Sequence, residues 1–437
     1  MGAFHHLSKM RFYIETYGCT ANHGNSEEFS RALMDMGHGP SSLEEADLVI
    51  VNTCVVTERT ERNMIKRICQ LQGDKLVIAG CLPKAIPEVL RRIRCRERLG
   101  ILNREAALQI GEAFDATQKT KESNRSPIKK SIRAEVARHL CSVVNISEGC
   151  KGNCSYCITK KARGHLKSRP PEEVAKEVRL RLEEGAVEVQ LGSQDASAYG
   201  MDMGSSLPEL LNMINEIPGY YKLRVGMMNP STLEPVLDDL VKSYKNPNIY
   251  KFVHLPVQSG SDSVLERMNR FYKAEDFARI TARLRRGIPD LTLHTDVIVG
   301  FPNETEDDFR ATKDLMRTIQ PDKINVTRFS SRPHTEASRF KELPSAIKKA
   351  RSRDFTRLWQ EIAASRNEHY VGKVVSVLVT EEGKDETVKA RTQNYREVVI
   401  DEKLPLGSSW DVKVAKANSF YLRATSQNGE QSSYWDV

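Results

Sequence analysis

Nowhere in this 437-residue chain does an apolar run approach the ~20 residues a bilayer-spanning helix needs; the longest, such as Asp47-Leu-Val-Ile-Val51 and Lys75-Leu-Val-Ile-Ala79, stop far short. A helical membrane protein is excluded, and the N-terminus lacks a signal-peptide core, so the expectation is a cytoplasmic protein without a membrane partner. No repeat of fixed period and no low-complexity block occurs, which leaves distinct globular domains. The charge is only mildly one-sided: 66 Lys and Arg against 58 Asp and Glu give a formal net charge of +8. That is the right direction for a polyanionic partner but no proof of one. Nine cysteines without an export signal argue against a disulfide framework and for metal or redox chemistry. Residues Met1 to Lys9 precede a second methionine, Met10, and are expected to be dispensable.

About 39% hydrophobic content suits two or three packed domains. Residues 10–115 alternate short apolar strands (Arg11 to Thr16, Leu48 to Asn52, Leu76 to Gly80) with helical patterns (Ser26 to Met36, Thr57 to Gln72, Ile86 to Arg96), the signature of a parallel α/β sheet. Residues 116–137 are polar and basic and read as a linker. Residues 138–368 alternate again, with strands expected at Val187 to Leu191, Lys222 to Met227, Phe252 to Pro256, Thr292 to Val299 and Lys323 to Phe329, as in a full or partial (β/α) barrel. A charged helix over Ser345 to Glu368 closes that region. Short β runs in 369–426 predict a small antiparallel β-barrel, and 427–437 a polar tail.

The segment Ser147-Glu-Gly-Cys150-Lys-Gly-Asn-Cys154-Ser-Tyr-Cys157 sets three cysteines on one glycine-bearing loop. Glycines let the backbone curl so that three thiolates converge on one cluster face. Three ligands leave one iron of a cubane open to a chelating cofactor. A zinc loop is the alternative, but structural zinc wants four ligands, and only His165 lies near. The CxxxCxxC pattern at the start of a barrel resembles the radical S-adenosylmethionine (SAM) superfamily, which implies a [4Fe–4S] cluster on Cys150, Cys154 and Cys157. The open iron would bind SAM, and electron transfer would cleave it to a 5′-deoxyadenosyl radical.

A second set lies in the first domain. Tyr17-Gly18-Cys19-Thr-Ala-Asn22, Val51-Asn52-Thr53-Cys54 and Ala79-Gly80-Cys81-Leu-Pro83 each follow a strand, so all three cysteines occupy the carboxyl end of a parallel sheet, where ligands gather. Three buried structural cysteines are the alternative. Together these motifs look like the methylthiotransferase family, which pairs such a domain with a radical SAM barrel and a C-terminal TRAM-type β-domain. The resemblance implies that Cys19, Cys54 and Cys81 hold an auxiliary [4Fe–4S] cluster whose open iron carries the sulfur. Cys69, Cys95 and Cys141 are expected to be structural.

Leu191-Gly-Ser-Gln194-Asp195, His254-Leu-Pro-Val-Gln258-Ser-Gly260 and Thr295-Asp296-Val-Ile-Val-Gly300-Phe-Pro-Asn-Glu304 end strands with polar or glycine residues, at what would be a barrel mouth. Gln194, Asp195, His254, Gln258 and Asp296 are candidates to hold SAM or substrate, with Gly300 allowing adenine to approach; each is equally read as a satisfied hydrogen-bonding group. Met268-Asn-Arg-Phe271-Tyr272 and Arg332-Pro333 resemble family segments, whereas Asn303 and His334 stand where the family usually has glycine, which puts local turn geometry in question. Basic runs at Lys160 to Arg169 and Lys348 to Arg353 offer charge to phosphates. Tyr395, Arg396, Phe420, Tyr421 and Arg423 add an aromatic–basic mixture suited to RNA.

Asp195-Ala-Ser-Ala-Tyr199-Gly200, Gly226-Met-Met-Asn229-Pro230 and Val379-Thr-Glu381-Glu382 resemble the branch that acts on N6-threonylcarbamoyladenosine at position 37, beside the anticodon of tRNA. That resemblance implies replacement of adenine C2–H by S–CH3, with SAM as methyl donor and radical source, on the anticodon stem-loop, with a sulfur donor and an electron donor as further partners. The alternatives are isopentenyladenosine in tRNA, an aspartate of a ribosomal protein, or a non-enzymatic iron–sulfur RNA-binding protein.

Overall fold

The computed structural model describes residues 9–118 and 140–431. Most of the expected linker, the leader before Lys9 and the last six residues of the tail lie outside them. The chain divides into two compact units: residues through Asn145 together with Cys157–His165, and Ile146–Tyr156 together with everything from Leu166 on.

The first unit is built on five parallel strands in the order Gly39–Pro40, Arg11–Thr16, Leu48–Thr53, Gly73–Gly80, Cys95–Arg98. Leu48–Thr53 is central and buried along its whole length, as its unbroken apolar text demands. Its side chains alternate: Val49 and Val51 enter one core with Met64 and Ile68, while Leu48 and Ile50 enter another with Phe29 and Leu33. The helix Glu58–Leu71 starts where Thr57 accepts the Thr60 N–H (3.3 Å). Two segments depart from expectation. The helix Thr20–Asp35 begins earlier than Ser26, because Cys19 is its N-terminal cap residue. The helix expected at Ile86 to Arg96 is only a 3-10 turn, Pro87–Leu90, followed by the edge strand Cys95–Arg98. Arg98 Nη2 donates to the carbonyls of Leu90 (3.1 Å) and Ile93 (2.8 Å), acceptors that a continuing helix would have used. A helix at Arg104–Gln118, absent from the sequence reading, carries the ordered domain past residue 115.

In the second unit the strands Glu188–Gly192 and Lys222–Val225 pair in parallel, as do Phe252–His254, Thr292–Val299 and Lys323–Arg328. Tyr250 N–H donates to Leu223 O (3.0 Å), which carries one sheet into the next. Helices cover the outside. Glu306–Ile319 buries Phe309, Thr312, Met316 and Ile319, a helical stripe, and opens with a capping box between Thr305 and Asp308. Ser345–Glu368 forms as expected. The C-terminal strands Val374–Glu382, Val388–Thr392, Glu397–Ile400, Leu422–Gln431 and Ser409–Ala417 close a five-stranded barrel in that order. It is not wholly antiparallel, since Glu397–Ile400 and Leu422–Gln431 run parallel. The last strand also takes in residues up to Gln431 that were expected to be tail.

The expected boundary at 368/369 is not a seam. The turn at 393–396 plugs into the base of the larger barrel: Gln393 O accepts from Lys251 N (3.0 Å), Asn394 Nδ2 donates to Asp290 O (3.0 Å), and the Tyr395 ring packs 4.8 Å from both Tyr250 and Phe252. Arg396 forms an ion pair with Asp322, which Arg366 also holds.

Candidate active site

In the first unit Cys19 caps a helix, Cys54 follows the central strand and Cys81 opens the short helix Cys81–Ala85, all at the carboxyl ends of parallel strands. Asn22, fully buried, ties them together. Its Oδ1 lies 3.8 Å from Cys19 Sγ and 3.9 Å from Cys81 Sγ and accepts from Arg163 Nη2 (2.6 Å). Its Nδ2 donates to Tyr17 O (2.6 Å) and Thr53 O (2.9 Å). Gly18 is required here: a Cβ on it would stand 2.9 Å from Cys54 Sγ, and its φ is +114°. Burial pushes the Cys54 thiol up, and the Cys81 thiol to about 11, while the Arg163 guanidinium pulls Cys81 down. Arg163, 7% exposed, also donates to Asn25 Oδ1 (2.9 Å), and its Nε has no partner. It therefore belongs to the thiol cluster and not to an RNA-facing basic run. The sequence reading missed Arg163 and Asn22 as site residues; Asn22 stood in a quoted motif, but its partners come from distant segments.

In the second unit Gly152 N–H donates to Cys150 Sγ (3.2 Å), and a Cβ on Gly152 would lie 3.4 Å from that sulfur and 3.9 Å from Cys154 Sγ. The glycine leaves both thiols on one open side of the loop. Cys157, half-buried, is grouped with the first unit. Gln194 Oε1 accepts from Gly149 N (2.8 Å), while its buried Nε2 has no partner, so Gln194 holds the loop. The segment resembling the family at 268–272, with Arg267 before it, clamps the same loop: Met268 O accepts from Ser155 N (3.1 Å), Asn269 Nδ2 donates to Asn153 O (2.7 Å) and Ser155 Oγ donates to Arg267 O (2.7 Å). Arg270 reaches Cys154 Sγ (3.5 Å), Tyr272 Oη (3.1 Å) and Pro256 O (3.2 Å).

Among the described residues no three His, Cys, Asp or Glu side chains close on a common point as a single-ion site. His165 is exposed. A four-ligand zinc loop is disfavoured, whereas a cubane spreads its thiolate ligands over three separate irons. Cys19 and Cys81 beside Asn22, Cys150 and Cys154 beside Gly152, and a guanidinium near a thiol in each unit fit ligands of such clusters.

His254 Nε2 lies 3.0 Å from Asp296 Oδ1, which also accepts from Asn325 Nδ2 (2.7 Å); Gln258, with φ +69°, donates its N–H to Asp296 O (2.8 Å). These three candidates are brought together. Two others are not available. Asp195 is buried and accepts from Ser197 Oγ (2.8 Å) and Thr232 Oγ1 (2.9 Å), so it is a satisfied internal group; burial pushes its carboxyl up. Gly300 has φ +74°, and a Cβ would strike Lys348 Cγ at 2.4 Å, so helix packing, not adenine, calls for glycine. Asn303 and His334 keep the left-handed backbone, with φ +60° and +66°. The basic run at Lys348 to Arg353 is partly consumed, since Lys348 pairs with Glu342 and Arg351 with Glu304 and Glu306.

Three family models match: the radical SAM superfamily over residues 144–316, the uncharacterized protein family UPF0004 over 11–99, and the TRAM domain over 368–426. A Pyrococcus horikoshii protein named "probable threonylcarbamoyladenosine tRNA methylthiotransferase" is 38% identical over 422 residues, 94% of this chain and 98% of its own. The Drosophila melanogaster threonylcarbamoyladenosine tRNA methylthiotransferase is 34% identical, over 94% of this chain and 77% of its own. A radical SAM methyltransferase structure from Kitasatospora setae shares the fold, with a TM-score of 0.56 at 15% identity, over 76% of this chain and 77% of that one. Identity sustained along nearly the whole chain, in archaeal and animal relatives alike, means that the chain belongs to the threonylcarbamoyladenosine tRNA methylthiotransferase family of radical SAM proteins.

Proposed function

We infer that this protein methylthiolates C2 of N6-threonylcarbamoyladenosine at position 37 of tRNA. The observation that carries the reading is the presence of two separate three-thiol sets, each with its own supporting shell, in a chain alignable almost end to end with methylthiotransferases of that name. Cys150, Cys154 and Cys157 hold the [4Fe–4S] cluster that a radical SAM protein uses with SAM. Cys19, Cys54 and Cys81 hold a second, auxiliary one. When bound, such clusters supply one-electron chemistry and a sulfur-bearing iron, both needed because adenine C2–H is unactivated.

The chain's own groups do the rest. Gln194 and Arg270 fix the cysteine loop, and Arg270 places positive charge beside Cys154. Asn22 holds the Cys19 and Cys81 thiols in place, and the Arg163 charge partly offsets the burial that keeps Cys81 protonated. His254, Gln258 and Asp296 form the polar group nearest the strand ends for cofactor or substrate; the Asp296 carboxyl is held below its usual range by the His254 and Asn325 hydrogen bonds and the Arg270 charge, against the opposing effect of burial. Among the described residues no helix is long and apolar enough to cross a membrane. A cytoplasmic site of action, a sulfur donor and an electron donor complete the proposal.

The test is anaerobic incubation of the reconstituted protein with SAM, dithionite and tRNA, followed by mass spectrometry of the nucleosides. The methylthio nucleoside should form with wild type. Replacing Cys150, Cys154 and Cys157 by Ala should abolish SAM cleavage yet leave iron on the other set, and replacing Cys19, Cys54 and Cys81 should do the reverse. Loss of all iron in either variant would contradict two independent clusters.

A further inference from the structure

A cavity of about 300 Å³ opens where the C-terminal barrel docks on the larger one. Thr292 and Lys323, which line it, open their strands, so it enters at the N-terminal end of the sheet; it reaches inward to His254 and Asn325, the partners of Asp296, while Gln194, Gln258 and Gly300 are not in its lining. Its size is at the lower limit for ligand pockets and suits one nucleotide, not a stem.

The walls carry unbalanced positive charge. Arg391 is neutralised by Glu397 (3.1 Å) and Arg396 by Asp322. No carboxylate pairs with Arg224 or Lys323 among the described residues. Arg224 lies over the Phe252 and Tyr395 rings (5.1 and 5.3 Å to their centroids), has one weak contact to Gln190 Oε1 (3.4 Å), and leaves its buried Nε without a partner. Burial holds the neighbouring His294 well below its ordinary value, and the charges of His254, Lys323, Arg224 and Arg396 push it further down. The opposite wall is aromatic. Trp359 meets Phe420 edge-on at 5.2 Å, its buried indole Nε1 has no hydrogen-bond acceptor, and Phe420 is 61% exposed.

We propose that this cavity receives one unmodified nucleotide of the RNA substrate, its phosphate facing Arg224 and Lys323 and its base stacking on the Trp359–Phe420 pair. Unpaired guanidinium and ammonium groups with an exposed ring are the standard elements of single-strand capture. The smaller barrel thus completes a site that neither barrel holds alone. This rests on the reading that RNA is the substrate.

The experiment is fluorescence anisotropy of a labelled anticodon stem-loop RNA across a salt series, with wild type, K323Q and F420A, both at exposed positions, and R224Q with its unfolding midpoint checked. K323Q should weaken binding and lower the slope of log K against log salt by about 0.7. F420A should weaken binding roughly tenfold with the slope unchanged. If wild type binds RNA and K323Q and F420A match it in affinity and slope, the cavity proposal is wrong while the RNA reading stands. If wild type binds no RNA, both fall. If 5′-AMP binds and is weakened by the substitutions while RNA affinity is not, the cavity serves a free nucleotide and the proposal is overturned.

Discussion

Asn22 makes five hydrogen bonds with its side chain while fully buried, two to carbonyls and one each from Arg163, Cys19 and Cys81. Asn22→Ala leaves Arg163 with an unmatched charge-assisted donor, so it should cost about 3 kcal/mol in apo-protein denaturation and lower iron content; unchanged values for both would deny it that position. Asn303 sits at φ +60°. Asn303→Ala should cost about 1 kcal/mol, whereas Asn303→Gly should be close to neutral, both read from denaturant midpoints. At this scale the sequence was informative for cysteines and for left-handed positions, because spacing and glycine preference are local. It misjudged Asp195, which accepts from Ser197 and Thr232 in a buried network, where Asn229 N–H donates to Ser197 Oγ (3.1 Å) and so joins the two segments resembling the threonylcarbamoyladenosine branch. Hydrogen-bond partners from distant elements cannot be read from spacing.

The strand starts at Arg11, Leu48, Lys222, Phe252, Thr292 and Lys323 and the helix at Ser345–Glu368 were legible because periodicity and apolar runs are properties of a single element, whereas the strand expected from Leu76 begins at Gly73. The segment at Ile86 to Arg96 was not, because Pro87 permits a helical start and only tertiary pairing with Gly73–Gly80 decides for a strand at Cys95–Arg98. The stretch Met268 to Tyr272 gains its meaning only in the fold, where it grips residues 153–155 and sets Arg270 against Cys154. A hydrogen bond to a ligating sulfur favours the reduced, more negative cluster. Arg270→Gln should therefore move the midpoint potential of the loop's cluster to a more negative value in an anaerobic redox titration while iron content holds; an unmoved potential would show that the contact has no electrostatic role.

Across the molecule, the five residues first assigned to RNA divide in two. Tyr395 and Arg396 are spent on docking the small barrel, and Arg423 pairs with Asp401 (2.8 Å), which leaves Phe420 and Tyr421 at the surface cavity. The sequence marks residues 369–426 as a domain of their own, as if separable. The structure gives the opposite expectation: truncation after Glu368 would expose Tyr250 and Phe252 and deprive Asp322 of Arg396. The truncated chain should unfold at a clearly lower temperature than the full protein, with SAM cleavage reduced as the barrel loosens; an unchanged barrel transition would show that docking adds no stability. Substrate choice is the claim on which the whole account depends. Arg270 is already engaged with Tyr272 and Cys154, and Arg332 is 5% exposed, so the group that selects the threonylcarbamoyl substituent has to be sought by its effect. A site with polar groups matched to that substituent loses several kcal/mol, at least about a hundredfold in rate, when it is missing. The decisive measurement is the rate of methylthiolation of one tRNA prepared with and without the threonylcarbamoyl group: the modified form should react and the bare adenosine remain essentially untouched, and equal rates on the two would contradict the account.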